Sequence, residues 1–322
     1  MSKGKVVVLG VNGHIGQAVA QAFAAAGWDV RGMARADRPT IAGVRIVRGD
    51  AGSVADMKAA IGDASLVVNA LNLPYESWDK GRMEALMARV LEAMGTDGKT
   101  MLFPGNIYNY SASDRVVTPD MPQHPQTARG AIRVRVEQML REAAGRGDIQ
   151  LLIVRAGDFY GPGSSNDWYD LAMMTGARKG RVQVVGSPGA GHSWAYLPDL
   201  ARAFEAVGAM RSSLGSSETF HFAGHFATAE QLGAAIAEAA PAHVRIGRFP
   251  HALLRLMGVF NARMREIARM EYLWRYSMEL RDERLDALLG PGFGTRFEDA
   301  VAATVAPFFA VAPAVANGPA RA

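Results

Sequence analysis

The run Val6-Val7-Val8-Leu9 passes directly into Gly10-Val11-Asn12-Gly13-His14-Ile15-Gly16 and then into a helix-compatible stretch from Gln17 to Ala26. No other segment constrains the fold so tightly. A short β-branched run, three glycines spaced three apart and a helix make the strand–turn–helix unit that grips the pyrophosphate of a dinucleotide. Gly10 permits a turn closed to other residues, Gly13 lets backbone approach phosphate oxygens, and Gly16 lets the helix lie close to its strand. The helix start offers unpaired N–H groups and a positive dipole end. Gly10, Asn12, Gly13, His14, Ile15 and Gly16 are therefore the expected cofactor-binding residues of this unit.

Strand-like and helix-like segments then alternate. Strands are expected at Asp29–Met33, Val44–Val47, Leu66–Asn69, Thr100–Phe103 and Leu151–Val154, and helices at Val54–Ile61, Met83–Met94 and Ile132–Ala144. Repeated β-then-α units imply an α/β protein with a doubly wound parallel sheet, covered on both faces. The expected organisation is a dinucleotide-binding core over 1–156. The remaining sheet elements, interleaved with a small, largely helical substrate lobe, fill 157–311. A helix continues over Leu200–Met210, Thr219–Phe222 reads as a strand, and Ala252–Leu289 reads as largely helical. The Ala/Pro/Gly-rich tail Ala312–Ala322 is expected to be disordered.

Composition narrows the partners. The 322 residues carry 35 basic and 31 acidic side chains without a concentrated basic block, which gives no footprint for nucleic acid. Cysteine is absent, so disulfides and thiolate chemistry are excluded. No stretch approaches the ~20 apolar residues that span a bilayer, and the first apolar run is needed as a strand. The expectation is a soluble, cytoplasmic protein with a small-molecule substrate. His221 and His225 are four apart but fall on a strand and a loop, so no metal site is expected.

Several landmarks occur together and in order: the glycine turn, Gly49-Asp50 after the third strand, Asn69-Ala70-Leu71 after the fourth, Val154-Arg155-Ala156-Gly157-Asp158-Phe159-Tyr160-Gly161-Pro162-Gly163, and Trp194-Ala195-Tyr196-Leu197-Pro198-Asp199. In these the chain resembles the extended or atypical short-chain dehydrogenase/reductase superfamily, in its NAD-dependent epimerase/dehydratase branch. The resemblance covers about the first two thirds of the chain. It implies that Asp50 and the backbone of Ala51 meet adenine, and that Asn69, Ala70 and Leu71 line the phosphate and ribose path. A turn-forming aspartate is the competing reading of Asp50.

At the end of the second strand an acid would hold the ribose hydroxyls of NAD. This chain has Val30-Arg31-Gly32-Met33-Ala34-Arg35 instead. Arg35, with Arg38 nearby, can pair with a 2′-phosphate, which favours NADP while leaving NAD possible. A solvated surface arginine is the plain alternative.

The active-site pattern departs from the family. By the resemblance, Tyr-x-x-x-Lys belongs on the helix after the fifth strand, with the tyrosine as proton donor and acceptor. In that register stand Arg129 and Arg133, and the usual hydroxyl upstream gives way to Phe103-Pro104-Gly105-Asn106-Ile107-Tyr108. Arginine does not release a proton near neutral pH, but it can hold a ribose hydroxyl, a phosphate or a carboxylate. Tyr108 is the expected proton relay, Asn106 a hydrogen-bonding neighbour on the same loop, and Tyr160 a weaker alternative. Tyr108 as a packing aromatic, and Arg129 and Arg133 as a solvated face with Arg133 paired to Glu137, are the competing readings. Asp158, Tyr160, His192 and Trp194 are expected on the substrate side. The Met- and Arg-rich helices beyond Leu253 read as core and surface, or as contacts with a second copy in a homodimer. Two functions follow: an NAD(P)-dependent oxidoreductase or epimerase-like enzyme for a small polar organic substrate, or a catalytically silent NADP(H)-binding sensor.

Overall fold

Seven apolar segments become the strands of one sheet: β1 Lys5–Leu9, β2 Asp29–Ala34, β3 Val44–Arg48, β4 Leu66–Asn69, β5 Lys99–Asn106, β6 Ile149–Ala156 and β7 Ser217–His221. They are seen in a computed structural model that describes residues 2–36, 40–163 and 169–310. The strand order is β3-β2-β1-β4-β5-β6-β7, with every neighbouring pair parallel. Five helices serve the sheet: α1 His14–Ala25, α2 Val54–Ile61, α3 Arg82–Met94, α4 Ala128–Gly145 and α5 Leu197–Ala209.

The twofold alternation of a strand explains how both faces are filled. Val6, Val7, Val8 and Leu9 are all fully buried. Val6 and Val8 pack with Val19, Phe23 and Phe204 of α1 and α5 on one face. Val7 and Leu9 pack with Met57, Met87 and Met101 on the other, where α2, α3 and α4 lie. The chain thus winds outward from β1 in two directions. The loops after β1 and β4 part at the carboxyl edge of the sheet, the switch point at which such folds bind ligands.

Two boundaries move in ways that matter for the site. β5 continues past Phe103 to Asn106, because Pro104, Gly105 and Asn106 stay in register with Val154, Arg155 and Ala156. α4 begins at Ala128 and not at Ile132, because the Thr127 hydroxyl accepts the Gly130 N–H at 3.1 Å and caps the helix there. Residues 129 and 133 both lie on its first turns as a result.

Beyond the main sheet, Asp158–Tyr160, Gly191–Tyr196 and His225–Thr228 form a small three-stranded sheet. The segment after β6 is therefore a short strand, held by Trp194–Tyr196. Arg181–Val184 pairs with Arg245–Arg248, between which lies α6, Ala229–Ala239. Then come α7, His251–Phe260, and α8, Ala262–Arg269. The stretch expected to be largely helical up to Leu289 is broken by Glu279–Leu280, a strand paired with Val116–Val117. The tail Ala312–Ala322 lies outside the described residues. Among the described residues, no helix is long and apolar enough to cross a membrane.

Candidate functional site

The glycine bend is shaped by close backbone approach. Gly10 has φ +83°, and a Cβ there would sit 2.8 Å from the carbonyl oxygen of Ala70 on the neighbouring loop. A Cβ at Gly16 would lie 2.3 Å from the Gly10 carbonyl oxygen, so α1 can start only where this glycine stands. Gly13 is the N-cap of α1 and supplies no side-chain acceptor to the helix start. A Cβ on Gly13 would lie 3.5 Å from the Gly10 carbonyl oxygen, an ordinary contact, and Gly13 lines the cleft. This is a backbone cradle at the positive dipole end of a helix, which fits a diphosphate.

The cleft beside it has a volume of about 950 Å³. One wall is Asn12–Ile15 together with Asn69, Ala70 and Leu71; the floor is the end of β5 from Phe103 to Tyr108. Asn69 is fully buried, its Oδ1 accepting the Leu71 N–H at 3.4 Å and its Nδ2 donating towards Met87 Sδ at 3.3 Å. That pair of contacts sets the loop after β4. Asp50 and Ala51 do not line the cleft; Asp50 Oδ1 accepts the Gly52 N–H at 2.6 Å, and its own N–H donates to Asp56 Oδ2. Arg35 is exposed just past β2, and Arg38 lies outside the described residues.

Tyr108 lies in the cleft, where the Asn106 side chain accepts its N–H at 3.1 Å and tightens the turn after β5. Its ring stands edge-on to Tyr75, with centroids 6.2 Å apart. The Tyr75 and Tyr108 hydroxyls are neighbours, and each influences the other's ionisation. Burial, reinforced by the Asp158 carboxylate, pushes the Tyr108 phenol up to about 12, although the Tyr75 hydrogen bond and Arg133 act the other way. Tyr75 is raised well above its ordinary value, mainly by burial. Both phenols therefore keep their protons across the physiological range.

The two arginines of α4 have different surroundings. Arg133 lines the cleft, donates from Nη2 to the Pro104 carbonyl at 2.5 Å, and lies over the Phe103 ring at 4.7 Å. Burial draws it down to about 10, so it remains a cation at neutral pH, and its Nε has no partner. Arg129 is 6 % exposed, 3.2 Å from Glu266 of α8, and stacked near Tyr75 and Trp78. It binds α8 to the Tyr75–Ser77 turn and is not among the cleft-lining residues.

The pairing of Arg133 with Glu137 does not form. Glu137 instead meets Arg155 of β6 in a buried two-point ion pair, at 2.7 and 3.0 Å. The spacing on α4 allows the first pair, but Arg155 reaches Glu137 with two parallel donors and wins. Arg155 also donates to the Asn106 carbonyl at 2.5 Å and to His221 Nε2 at 3.2 Å. A second device holds the same loop. A Cβ at Gly130 would come 2.1 Å from the Tyr108 carbonyl oxygen, so α4 lies flush against the tyrosine's backbone.

On the substrate side, Asp158 lines the cleft, accepting from Trp274 Nε1 at 2.6 Å, with His192 Nε2 3.2 Å away. His192 and Trp194 are buried behind it, their rings edge-on at 5.0 Å, and neither lines the cleft. Tyr160 is placed deeper still, hydrogen-bonded to His225 Nδ1 at 2.6 Å and stacked on Tyr169. The residues that pattern reading missed are Tyr75 and Trp78, which close the cleft beside Tyr108, and the inner side of α7 and α8. Two aromatics three apart after Pro74 were the available signal. Among the described residues, no group of three or more His, Asp or Glu side chains is placed to hold a metal ion.

A doubly wound parallel sheet with an uncapped glycine cradle at its switch point defines a dinucleotide-binding α/β protein. The model of the NAD dependent epimerase/dehydratase family matches residues 6–222, and the chain belongs to that family. Among solved structures it is similar to MoeE5 in complex with UDP-glucose and NAD (19% identity, TM-score 0.73, covering 94% of this chain and 97% of that one). It is also similar to a putative epimerase from Burkholderia cenocepacia J2315 (17% identity, TM-score 0.75, 96% and 99% covered). A third is UDP-glucose 4-epimerase from Brucella ovis in complex with NAD (15% identity, TM-score 0.72, 95% and 98% covered). No curated protein matches the sequence.

Proposed function

We propose that the chain is an NAD(P)-dependent oxidoreductase with an epimerase-like ancestry and a non-standard proton donor, acting on a carbonyl or alcohol group of a small organic molecule. The observation that carries this reading is a juxtaposition. The start of α1, which has no side-chain cap, and Tyr108 open onto one cleft, where the Arg133 cation lies over the Trp78 ring. Asn12, Gly13, His14 and Ile15 would hold the diphosphate, and Asn69–Leu71 the adjoining ribose.

When bound, the nicotinamide cofactor supplies a hydride in reduction or accepts one in oxidation. In reduction Tyr108 gives its proton to the carbonyl oxygen. The phenolate left behind accepts from Tyr75 and faces Arg133, until water restores the proton. In oxidation the same proton moves in reverse.

NADP is favoured over NAD, because Arg35 is exposed just past β2, where a guanidinium can pair with a 2′-phosphate. Calorimetry should give heat and thermal protection with NADPH. Arg35→Asp should weaken NADPH by about tenfold or more, because a charge-assisted contact to the 2′-phosphate is lost. If neither nucleotide produces heat or protection, this reading falls.

The Gly130 contact gives a second test. In Gly130→Ala the methyl group must push the Tyr108 backbone away by roughly an ångström. Turnover should fall about 100-fold with nucleotide affinity retained. Turnover unchanged in a folded variant would show that Tyr108's position is not held by α4.

A further inference from the structure

The end of the cleft farthest from the glycine bend differs sharply from the cradle. Phe249 precedes α7, Leu254 lies on it, and Met264 and Ile267 on α8 with Met270 beyond complete an apolar wall. Ala172, Tyr75 and Trp78 add to the lining. Among the described lining residues charge is scarce and already committed. Arg129 is neutralised by Glu266, and Arg133 gives Nη2 to the Pro104 carbonyl. The carboxylate of Asp158 is the anion among the described lining residues of this half.

Resting on the reading of the chain as an NAD(P)-dependent oxidoreductase, we propose that this half of the cleft takes the apolar body of a carbonyl compound, or of the corresponding alcohol, that carries no phosphate. A sugar nucleotide would bring two phosphate charges against thioether and hydrocarbon groups. A buried charge needs a paired, hydrogen-bonding partner, and here one cation would also have to serve Tyr108. An apolar chain or ring gains from the same surface simply by leaving water. The polar end of such a molecule is drawn to Tyr108 and the Arg133 guanidinium, both of which line the cleft, and this fixes its direction.

The test uses the full chain loaded with oxidised NADP, after a nucleotide titration on the same sample. Methyl ketones from butanone to decanone are then titrated by calorimetry. Affinity should rise about fourfold per added methylene until the wall is filled, the gain expected for burying each group. UDP-glucose should not compete. Ile267→Asp should flatten the dependence on chain length while NADP binding is retained; Met264→Gln is the milder variant if the first fails to fold. Flat affinity along the series, or competition by UDP-glucose, overturns the assignment. Failure of the nucleotide titration instead overturns the oxidoreductase reading, so the two outcomes are distinguishable.

Discussion

Tyr108→Phe is expected to lower turnover by about 10²–10⁴-fold while NADPH affinity stays nearly unchanged. The ring remains in its place against Tyr75 and Trp78, so packing is kept and only the proton is lost. Burial with Asp158 raises the phenol to about 12, so the hydroxyl keeps a proton to give near neutral pH. Tyr75→Phe should cost less, about tenfold, since it removes one neutral hydrogen bond to the phenolate. Steady-state kinetics on a responsive ketone, with nucleotide titration beside it, reads both effects. Full activity in Tyr108→Phe would remove it as the relay. A wild-type chain that binds NADPH and turns over no carbonyl at all would instead be a nucleotide sensor.

Glu137→Gln should lower the free energy of unfolding by about 3–5 kcal/mol, because it strands a fully buried guanidinium. Arg155 is 0 % exposed, and Glu137 holds it from two sides. Denaturant titration measures the loss. Glu137→Leu combined with Arg155→Met should cost less than the single change, since no charge is then left in the core. An effect of the single change under about 1 kcal/mol would mean that water or another anion serves Arg155.

The same network sets the response to acid. Burial alone would raise the Glu137 carboxyl, but Arg155 holds it at about 2, below its ordinary 4.5. Its stabilisation is therefore complete above about 4.5 and is lost as pH falls towards 2. His221 is driven down to about 3 by burial and by the Arg155 charge, so the unfolded chain binds a proton there first. That contribution weakens stability progressively as pH falls from 6.5 towards 3. His221→Gln should flatten the decline between 6.5 and 3 and leave the Glu137 contribution, which is lost below 4.5.

The sheet was legible because each buried strand is a short apolar run and each turn has its glycine or cap. Val54–Ile61 and Leu66–Asn69 stand where the pattern sets them. The small strands were not legible: Gly191–Tyr196 begins in a glycine-rich stretch, and pairing with Asp158–Tyr160 and His225–Thr228 is wholly non-local. On α7 periodicity selects the wrong side. Leu253, Leu256, Met257 and Phe260 form the expected stripe at i, i+3, i+4 and i+7, yet that stripe is exposed and Leu254 and Gly258 face inward. The candidate site divides similarly. The glycine cradle could be read from spacing, whereas the Arg155–Glu137 pair joins a helix to the strand after it and the Arg129–Glu266 pair joins elements far apart in sequence, and neither has a fixed spacing to read.

Arg129 and Arg133 on α4 each hold a neighbouring element. Consider Arg129→Tyr with Arg133→Lys. Glu266 would then lose a neighbour 3.2 Å away, and the Pro104 carbonyl its guanidinium donor. The shape of the cleft therefore leans on both guanidinium groups: one fastens α8 to the aromatic turn, the other the end of β5 to α4.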